Sequence, residues 1–274
     1  MATDLPLISV IMAAQNEEAY LEQAIAGIEA QTYPAWELIV VNDGSTDGTG
    51  DIAAAAARRS PRIRTMEIPP PGVGVAEARN RGMAAAAGDL IAVADADDVA
   101  HPRRLEWQVS FFEEHPDIGA VGGWCEFVDV VTGERSTWRP PTEPREVRLY
   151  ATRGNPIPHT TLTFRRDLLD EVDGYRDLDF KDYDFVVRLL SRRDGANLAQ
   201  VLATVHVHPS SVMTGSRIRD LFGRGVRTRW RAVRLLAAPA ARPVLYIRAV
   251  LLALVLLCRR TMERWRWRRD GRVP

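Results

Sequence analysis

The sequence has very little cysteine, and this scarcity excludes one class of protein. Its 274 residues include two cysteines, Cys125 and Cys258. They lie in unrelated stretches and lack the close spacing of metal-binding cysteines. A fold held together by several disulfide bonds is therefore excluded.

The chain also lacks a signal-peptide pattern and a long uninterrupted apolar run. No basic region with an apolar stretch precedes the strand-like run that starts at Leu7, which argues against a cleaved signal peptide and favours cytoplasmic residence. The strongly apolar stretch at 244–258 is interrupted by Arg248. It is shorter than the roughly 20 residues that a comfortable membrane span needs.

The composition is that of an ordinary globular protein. Hydrophobic residues make up 46% and charged residues 26% of the chain, which permits a buried core and argues against wholesale disorder. The length suits one large α/β domain, alone or with a short appendage. The formal net charge is zero, but few acids follow Arg217. A basic tail therefore follows an acidic front half.

Short apolar segments alternate with helical patterns through the first hundred residues. The apolar segments predict strands at 7–12, 37–41, 63–68 and 90–94. Apolar residues at helical spacing predict helices at 17–31, 49–59 and 75–87. This alternation predicts a mostly parallel sheet with both faces covered by helices. Ligands bind such sheets at the carboxyl ends of the strands.

The second half of the chain is less regular. The proline-rich stretch at 140–158 predicts a loop with a short helix. Helical spacing over 183–192 and a strand-like run over 201–207 follow it.

Three carboxylates crowd into four residues at the end of the fourth predicted strand, namely Asp95, Asp97 and Asp98. Like charges at this spacing repel each other unless a cation or solvent separates them. Carboxylate oxygens suit Mg²⁺ or Mn²⁺, and Mg²⁺ is commonly held by one or two carboxylates together with substrate phosphates. A solvated acidic turn is the alternative, and it would be the better interpretation if the motif stood alone.

Other motifs accompany it in a fixed order. They are Ile8-Ser-Val-Ile-Met-Ala-Ala-Gln-Asn-Glu-Glu18, Gln31-Thr-Tyr-Pro34, Glu37-Leu-Ile-Val-Val-Asn-Asp-Gly-Ser-Thr-Asp-Gly-Thr49, Ala78-Arg-Asn-Arg-Gly82 and Gly88-Asp89. The segment after the second strand would by itself predict only a turn and an N-capped helix. Together with the acidic motif, the set resembles the signature of family 2 glycosyltransferases, and the resemblance runs from about Ile8 to about Val212.

The resemblance implies an α/β fold of the GT-A type, in which helices flank a mostly parallel nucleotide-binding sheet. The implied glycosyltransferase domain covers 1–215, with a nucleotide-sugar-binding half at 1–100 and an acceptor-binding half at 101–215. A basic, partly apolar helical tail at 216–274 follows it. The implied reaction is inverting transfer of a sugar from a nucleotide-diphosphate sugar, with a UDP-sugar favoured, to a hydroxyl of a glycan or lipid-linked acceptor. The implied cofactor is Mn²⁺ or Mg²⁺.

The resemblance also implies roles for single residues. Asp43 would hydrogen-bond a uracil-like base, Asp95 would contact the ribose, and Asp97 would hold the metal that bridges the diphosphate. The residues expected to bind the nucleotide sugar are Ala14, Asn16, Glu17, Asp43, Arg79, Asp95 and Ala96. The family usually has Pro-Thr-Tyr-Asn where this chain has Ala13-Ala-Gln-Asn16. Loss of the tyrosine removes a ring that would contact the base, so the identity of the base stays open.

Lys181-Asp-Tyr-Asp184 is similar to the Glu-Asp-x-Asp segment of the family, and the resemblance places Asp182 as the general base. An inverting transfer needs a carboxylate to take the proton of the acceptor hydroxyl. Lys181 replaces the glutamate, and its ammonium would lower the pKa of Asp182 if the two side chains approach. The alternative role for Asp182 is a helix N-cap.

Two histidines and a tryptophan complete the predicted site. His208 lies in a segment similar to one whose histidine approaches the metal, so Asp97 and His208 are the expected metal ligands. His159, Trp124 and Asp98 are expected on the acceptor side. Structural roles for the histidines and a core or interface role for the tryptophan are the alternatives.

The basic tail combines the apolar stretch at 244–258 with arginines and tryptophans at 264–269. This composition favours peripheral contact through 242–269 with the inner face of the plasma membrane. An amphipathic helix packed on the domain or in a homodimer is the alternative. No nucleic-acid-binding module accompanies the charge.

Two functions of other classes are also considered. The departures at 13–15 and at Lys181 favour a non-catalytic nucleotide-sugar-binding or scaffold protein of the same fold. A nucleotidyltransferase is disfavoured, because no glycine-rich triphosphate loop followed by a lysine lies near the first strand.

Overall fold

The computed structural model describes residues 5–178, 180–208, 228–237 and 245. Within these residues nine strands form one sheet. The strands are β1 (Ile8–Ala14), β2 (Trp36–Asp43), β3 (Ile63–Ile68), β4 (Leu90–Asp95), β5 (Val99–Ala100), β6 (Ile118–Asp129), β7 (Arg135–Trp138), β8 (Thr163–Arg165) and β9 (Asp194–Val207). The α-helices are α1 (Leu21–Glu29), α2 (Thr49–Arg59), α3 (Val75–Ala84), α4 (Arg104–Glu114), α5 (Pro144–Tyr150), α6 (Leu169–Val172) and α7 (Lys181–Leu190). Short 3₁₀ turns lie at His159–Thr161 and Arg166–Leu168.

The strands are ordered β3-β2-β1-β4-β8-β6-β9-β5, with β7 paired to β6. The ladders among β1, β2, β3 and β4 are parallel, as is the long ladder between β6 and β9. The short strand β8 runs antiparallel to both β4 and β6. The α/β class and the mostly parallel sheet are therefore confirmed, with the addition that short antiparallel strands make the sheet mixed.

Alternate residues of the central strands enter two separate cores. Val10 and Met12 of β1 pack into the core that also holds Leu21 of α1, whereas Ile11 packs into the core that holds Phe185 of α7. A strand buried on both faces explains the continuous apolar run at the start of the chain.

Local hydrophobic patterns predicted most of the helices and strands in the first half of the chain. The predicted segments 49–59 and 63–68 match α2 and β3. Helix α1 begins four residues later than predicted, because the backbone before it hydrogen-bonds to the start of α2. The backbone N–H of Glu17 donates to Thr49 Oγ1 at 2.8 Å, and that of Glu18 donates to Asp47 Oδ2 at 3.2 Å.

The carboxyl ends of three neighbouring parallel strands form one edge of the sheet. Ala14 at the end of β1 is in register with Asn42 of β2, and Ala13 is in register with Asp95 at the end of β4. Ligands of mostly parallel sheets bind at this edge, so the predicted ligand-binding residues belong here.

Part of the C-terminal tail packs on the domain. Residues 228–236 are helical, and Ala232 and Leu236 belong to the same buried core as Phe185 of α7. Arg231 forms an ion pair with the buried carboxylate of Asp184. Apart from residue 245, the predicted membrane-contact segment 242–269 lies outside the described residues. No helix in the described part of the chain is long and apolar enough to cross a bilayer.

Candidate active site

Asp43, the last residue of β2, has one carboxylate oxygen that accepts a hydrogen bond and one that has no partner among the residues described. Its side chain is buried, at 2% exposure. Oδ1 accepts the backbone N–H of Val73 at 2.6 Å, and the Asp43 carbonyl accepts Gln15 Nε2 at 2.8 Å. Oδ2 is buried and has no hydrogen-bond partner among the described residues. An unpaired buried carboxylate oxygen is costly unless a ligand donates to it.

Two glycines bring the neighbouring loops against Asp43. Gly44 and Gly72 have φ angles of +70° and +87°. A Cβ atom on Gly72 would lie 2.5 Å from the Asp43 carbonyl oxygen and 2.7 Å from Oδ1. Glycine is therefore required at Gly72 both by the backbone angle and by the close approach.

The end of β1 forms the next wall of this edge. Ala14 is buried, as is Ala96 just after β4. Asn16 follows with a positive φ of 58°, and its Oδ1 accepts the backbone N–H of Thr46 at 2.9 Å. Asn16 thus ties the loop after β1 to the turn after β2.

Glu17 faces the acids of the neighbouring segments. Burial, followed by the charges of Asp97, Asp47 and Asp95, raises the pKa of Glu17 to about 7. Burial and these neighbouring carboxylates therefore oppose ionisation of Glu17.

Arg79 of α3 joins two carboxylates that come from distant parts of the chain. Its Nη2 donates to Asp95 Oδ1 at 2.6 Å, and its Nη1 donates to Asp182 Oδ1 at 2.8 Å. Burial alone would lower the pKa of Arg79, but the charges of Asp182 and Asp95 outweigh it and the net pKa is raised. Arg79 therefore holds the end of β4 and the first turn of α7 together.

His159 lies between the same two carboxylates. Its Nδ1 is 3.3 Å from Asp95 Oδ1, and its Nε2 is 3.4 Å from Asp182 Oδ1. Nε2 also lies 2.9 Å from the hydroxyl of Tyr175. Burial alone would raise the pKa of Asp95, but His159 and then Arg79 lower it by more, so the net pKa is lowered.

Asp97 and His208 meet just beyond the end of β4. His208 Nε2 is 3.3 Å from Asp97 Oδ2, and the ring of Tyr20 stacks on His208 at 4.7 Å. Burial, followed by the charge of Asp95, raises the pKa of Asp97. The described residues contain no cluster of three or more His, Cys, Asp or Glu side chains suited to a metal ion. Asp97 and His208 thus offer one oxygen donor and one nitrogen donor.

The sequence model described as Glycosyl transferase family 2 matches residues 9–173, which is more than half of the chain. The chain belongs to glycosyltransferase family 2. It is 36% identical over 206 residues to the putative glycosyltransferase EpsE of Bacillus subtilis, with 73% of each chain covered. It is 29% identical over 204 residues to the amylovoran biosynthesis glycosyltransferase AmsE of Erwinia amylovora, covering 73% of this chain and 76% of AmsE. This confirms the family resemblance, and the protein is a glycosyltransferase of an inverting family that uses a nucleotide-sugar donor.

Solved structures show the same fold. S. aureus TarS in complex with UDP-GlcNAc has a TM-score of 0.71 at 18% identity, covering 89% of this chain and 71% of TarS. The mannosyltransferase PcManGT from Pyrobaculum calidifontis, in complex with GDP-Man and Mn²⁺, has a TM-score of 0.68 at 22% identity. That match covers 92% of this chain and 74% of PcManGT.

The third acid of this glycosyltransferase's acidic motif faces the protein rather than solvent. Asp98 is buried, and its Oδ1 accepts the backbone N–H of His206 on β9 at 3.3 Å. Burial, followed by the charges of Asp95 and Asp97, raises the pKa of Asp98 to about 9, although a hydrogen bond with Thr160 opposes the shift. Asp98 therefore links β4 to β9 and to the turn that carries His159.

Trp124 lies on β6 and is half-buried. The guanidinium of Arg139 is 5.2 Å from the centre of its ring, and its Nε1 is buried without a hydrogen-bond partner among the described residues. Its predicted place on the acceptor side stays a prediction.

The N-cap interpretation of Asp182 is wrong. Helix α7 begins at Lys181, its N-cap is Phe180, and no side chain caps it. Asp182 lies inside the first turn, and its ion-pair partners in the described chain are Arg79 and His159 rather than Lys181.

Tyr175, whose hydroxyl lies 2.9 Å from His159 Nε2, was not predicted from the sequence. No local pattern marks this residue, because its backbone is held by a side chain 95 positions away: Asn80 Oδ1 accepts the backbone N–H of Tyr175 at 2.7 Å, and Asn80 Nδ2 donates to the Tyr175 carbonyl at 2.9 Å. The Arg79-Asn80 pair thus reaches both Asp182 and the segment that holds Tyr175. Arg104, a buried cation beneath the site, was also missed, because an arginine at a helix start is usually exposed.

Proposed function

We propose that this glycosyltransferase moves a sugar, with inversion, from a UDP-sugar to a hydroxyl of a glycan or lipid-linked acceptor during polysaccharide biosynthesis. The observation that carries the proposal is the junction of Arg79 and His159 with Asp95 and Asp182. This junction lies at the sheet edge that also holds Asp43 and Asp97. The relative AmsE is named for amylovoran biosynthesis, which supports the acceptor class.

The free oxygen of Asp43 supports uracil as the base. Uracil presents a single imide N–H, which one carboxylate oxygen can accept. Guanine presents two adjacent N–H groups and would need both oxygens, but Oδ1 of Asp43 is already bonded to Val73. TarS and PcManGT bind UDP-GlcNAc and GDP-Man respectively, so both bases occur on this fold.

The remaining contacts with the nucleotide sugar are assigned from the positions of the residues at the sheet edge. We assign the ribose to Asp95 with Arg79 beside it, and the walls of the nucleotide site to Ala14, Asn16, Glu17 and Ala96. These residues come from the ends of β1 and β4 or the loops that follow. The proposed nucleotide-binding half is 1–100, the acceptor-binding half is 101–215, and the tail is 216–274.

The donor atoms beside β4 fit a divalent cation that shares its ligands with the substrate. Asp97 and His208 would hold Mn²⁺ or Mg²⁺, with the diphosphate and water supplying the other ligands. The raised pKa of Asp97 reflects burial and the nearby charge of Asp95, and a cation would relieve that repulsion. When bound, the metal neutralises negative charge on the diphosphate leaving group.

Asp182 is the proposed general base. Arg79 and His159 both contact its Oδ1, which leaves Oδ2 for the proton of the acceptor hydroxyl. The side chain is 39% exposed, so an acceptor can reach it. The acceptor oxygen attacks the anomeric carbon in line with the departing nucleoside diphosphate, and this single displacement inverts the configuration. His159 and Trp124 are proposed on the acceptor side. Asp98 is proposed to act there through the turn that carries His159, because its own side chain is buried.

The Asp182→Asn variant tests catalysis separately from donor binding. We expect turnover to fall by about a hundredfold or more, because general-base catalysis contributes roughly 10²- to 10⁴-fold. UDP with Mn²⁺ should still raise the melting temperature of the variant as it does for the wild type.

Asp177→Asn, an exposed aspartate just before α7, is the matched control and should keep full turnover. A scaffold protein would show no turnover to lose in any variant. Failure of every nucleotide sugar to bind the wild type in the presence of Mn²⁺ would contradict the proposed function.

A further inference from the structure

Arg104, the first residue of α4, is a buried cation with no carboxylate partner in the described part of the chain. Its side chain is almost fully buried, at 1% exposure. No carboxylate among the described residues forms an ion pair with it. Burial lowers its pKa to about 10, although Cys125, Asp95 and Asp98 oppose the shift. A buried charge held in this way is costly, so its hydrogen bonds must stabilise it.

Those hydrogen bonds go to the backbone of two segments. Nη2 of Arg104 donates to the carbonyl of Val93 at 2.9 Å, on β4 two residues before Asp95, and to that of Leu162 at 3.2 Å. Nη1 donates to the carbonyl of Thr160 at 2.7 Å. One guanidinium therefore joins the strand that carries Asp95 to the turn that carries His159.

Gln108, one helical turn further along α4, completes the arrangement. Its Oε1 accepts Arg104 Nε at 3.2 Å, and its Nε2 donates to the carbonyl of Thr161 at 2.8 Å. Three consecutive carbonyls, those of Thr160, Thr161 and Leu162, are thus held by two side chains of one helix. The turn has little freedom to move relative to β4.

We propose that Arg104 is a positioning residue of the glycosyltransferase, because it fixes the 159–162 segment against β4 and so places His159 between Asp95 and Asp182. This inference rests on the proposed function for its catalytic consequence. Arg104 itself reaches no residue of the proposed catalytic group, and it acts through the backbone of the turn. Contacts of 3.3–3.4 Å between His159 and the carboxylates are lost after a shift of about 1 Å, and misplacement on that scale costs up to about a hundredfold in rate.

The geometry requires arginine rather than any cation. The three carbonyls that accept from Arg104 belong to Val93 on β4 and to Thr160 and Leu162 of the 159–162 segment. A planar guanidinium reaches them with separate N–H groups, whereas the single ammonium of lysine cannot span them. Arg104→Lys therefore keeps the charge and removes the positioning.

The first measurement is kinetic and uses the full-length Arg104→Lys enzyme. We expect kcat to fall at least about tenfold, while the KM for the donor and the thermal shift with UDP and Mn²⁺ stay within about twofold of the wild type. Arg103→Lys is the matched control, since Arg103 is the neighbouring residue, is exposed, and pairs with Glu106. It should change neither quantity. An unchanged kcat for Arg104→Lys would overturn the inference.

A double-mutant cycle separates positioning from general destabilisation. If Arg104 acts through His159, the double variant Arg104→Lys with His159→Ala should be no slower than His159→Ala alone, within about threefold. Fully additive losses in kcat would contradict the inference. If Arg104→Lys does not fold, Gln108→Met replaces it in the same cycle. This substitution removes the bonds of Gln108 to the Thr161 and Val121 carbonyls, and it removes the acceptor for Arg104 Nε and Thr163 Oγ1. We expect a smaller loss of kcat with the same non-additivity.

A second measurement does not depend on activity. The amides of Thr161 and Leu162 donate to the carbonyls of Pro158 and His159 within the turn. Their hydrogen exchange should be at least about tenfold faster in Arg104→Lys, while exchange in α3 stays unchanged. Equal exchange in the variant and the wild type would refute the positioning role. A wild type that binds and turns over no donor would refute the proposed function instead, and exchange would still decide the role of Arg104.

Discussion

At the residue scale, Asp43 offers the sharpest test of donor recognition. In Asp43→Asn the amide oxygen can still accept the Val73 N–H, so the amide nitrogen takes the position of the free oxygen and faces the N–H of the base. Two hydrogen-bond donors, the amide nitrogen and the base N–H, then face each other. We expect the affinity for UDP in the presence of Mn²⁺ to fall by about 10- to 100-fold, measured by titration calorimetry.

Asp51→Asn is the control for that substitution, because Asp51 is an exposed carboxylate on α2. Its affinity for UDP should equal that of the wild type. Equal affinities for Asp43→Asn and Asp51→Asn would show that Asp43 does not contact the base.

Glu37 of β2, which lies away from the active site, makes the stability of the fold depend on pH. Burial alone would raise its pKa, but hydrogen bonds from Ser9, from the Ala87 N–H and from Arg64 outweigh it, and the pKa is lowered below 4.5. A carboxylate with a lowered folded-state pKa contributes stability above its unfolded pKa. That contribution is lost as the pH falls through the folded-state pKa.

Glu37→Gln should therefore be less stable than the wild type near neutral pH, and the difference should shrink as the pH falls below 4.5. Urea unfolding of both proteins at a series of pH values measures the difference directly. A difference that stays constant or grows toward low pH would contradict the assignment.

At the scale of elements, the sequence predicted the helices and strands whose hydrophobic pattern is local. Segments such as α2 and β3 carry their periodicity within a dozen residues, and their bounds were predicted correctly. The start of α1 was predicted too early, because residues 16–18 form hydrogen bonds with residues about thirty positions away. Strands β5 and β8 are two and three residues long, too short for an alternation of polar and apolar residues to be recognised.

The loops around the base pocket can be tested with a matched pair of glycines. Gly72 and Gly133 have φ angles of +87° and +71°, so an alanine at either position meets similar backbone strain, about 1 kcal/mol. A Cβ on Gly72 would collide with Asp43, whereas a Cβ on Gly133 would meet no atom of the described residues within 4 Å.

We expect Gly72→Ala to lose UDP affinity and more stability than Gly133→Ala, because the loop must move away from Asp43. Gly133→Ala should keep wild-type affinity. Urea unfolding and UDP titration of the two variants make the comparison. Equal affinities would place the base elsewhere.

At the scale of the whole molecule, the candidate site could be predicted where a motif ends a strand. Asp43 and Asp95 follow apolar runs, and the parallel order brings these ends together. The same reasoning could not find Tyr175 or Arg104, because their partners are set by tertiary packing between α3, α4 and the 159–162 segment. The approach of Arg79 to Asp182 spans 103 residues, a distance at which no local pattern operates.

The C-terminal tail divides into a part that packs on the domain and a part proposed to meet the membrane. Ala232, Val233 and Leu236 are buried, and Arg231 pairs with the fully buried Asp184 two residues after Asp182. Fully burying an aliphatic side chain of valine or leucine size stabilises a protein by about 1.5–3 kcal/mol. The helix at 228–236 should therefore support α7, which carries the proposed base.

Two truncations separate these roles. A chain ending after Ala237 keeps the packed helix and should retain the melting temperature and the thermal shift with UDP and Mn²⁺. It should, however, lose co-sedimentation with vesicles that contain anionic lipid, since it lacks the basic apolar segment 242–269. A chain ending at residue 227 should also melt several degrees lower, because it loses the buried side chains and, among the described residues, leaves Arg188 as the ion-pair partner of Asp184. Vesicles without anionic lipid are the control for co-sedimentation, and neither the full chain nor the truncated chains should co-sediment with them. If the full chain and the chain ending after Ala237 co-sediment equally with anionic vesicles, the tail has no membrane role. If the two truncations have equal melting temperatures, the helix has no packing role.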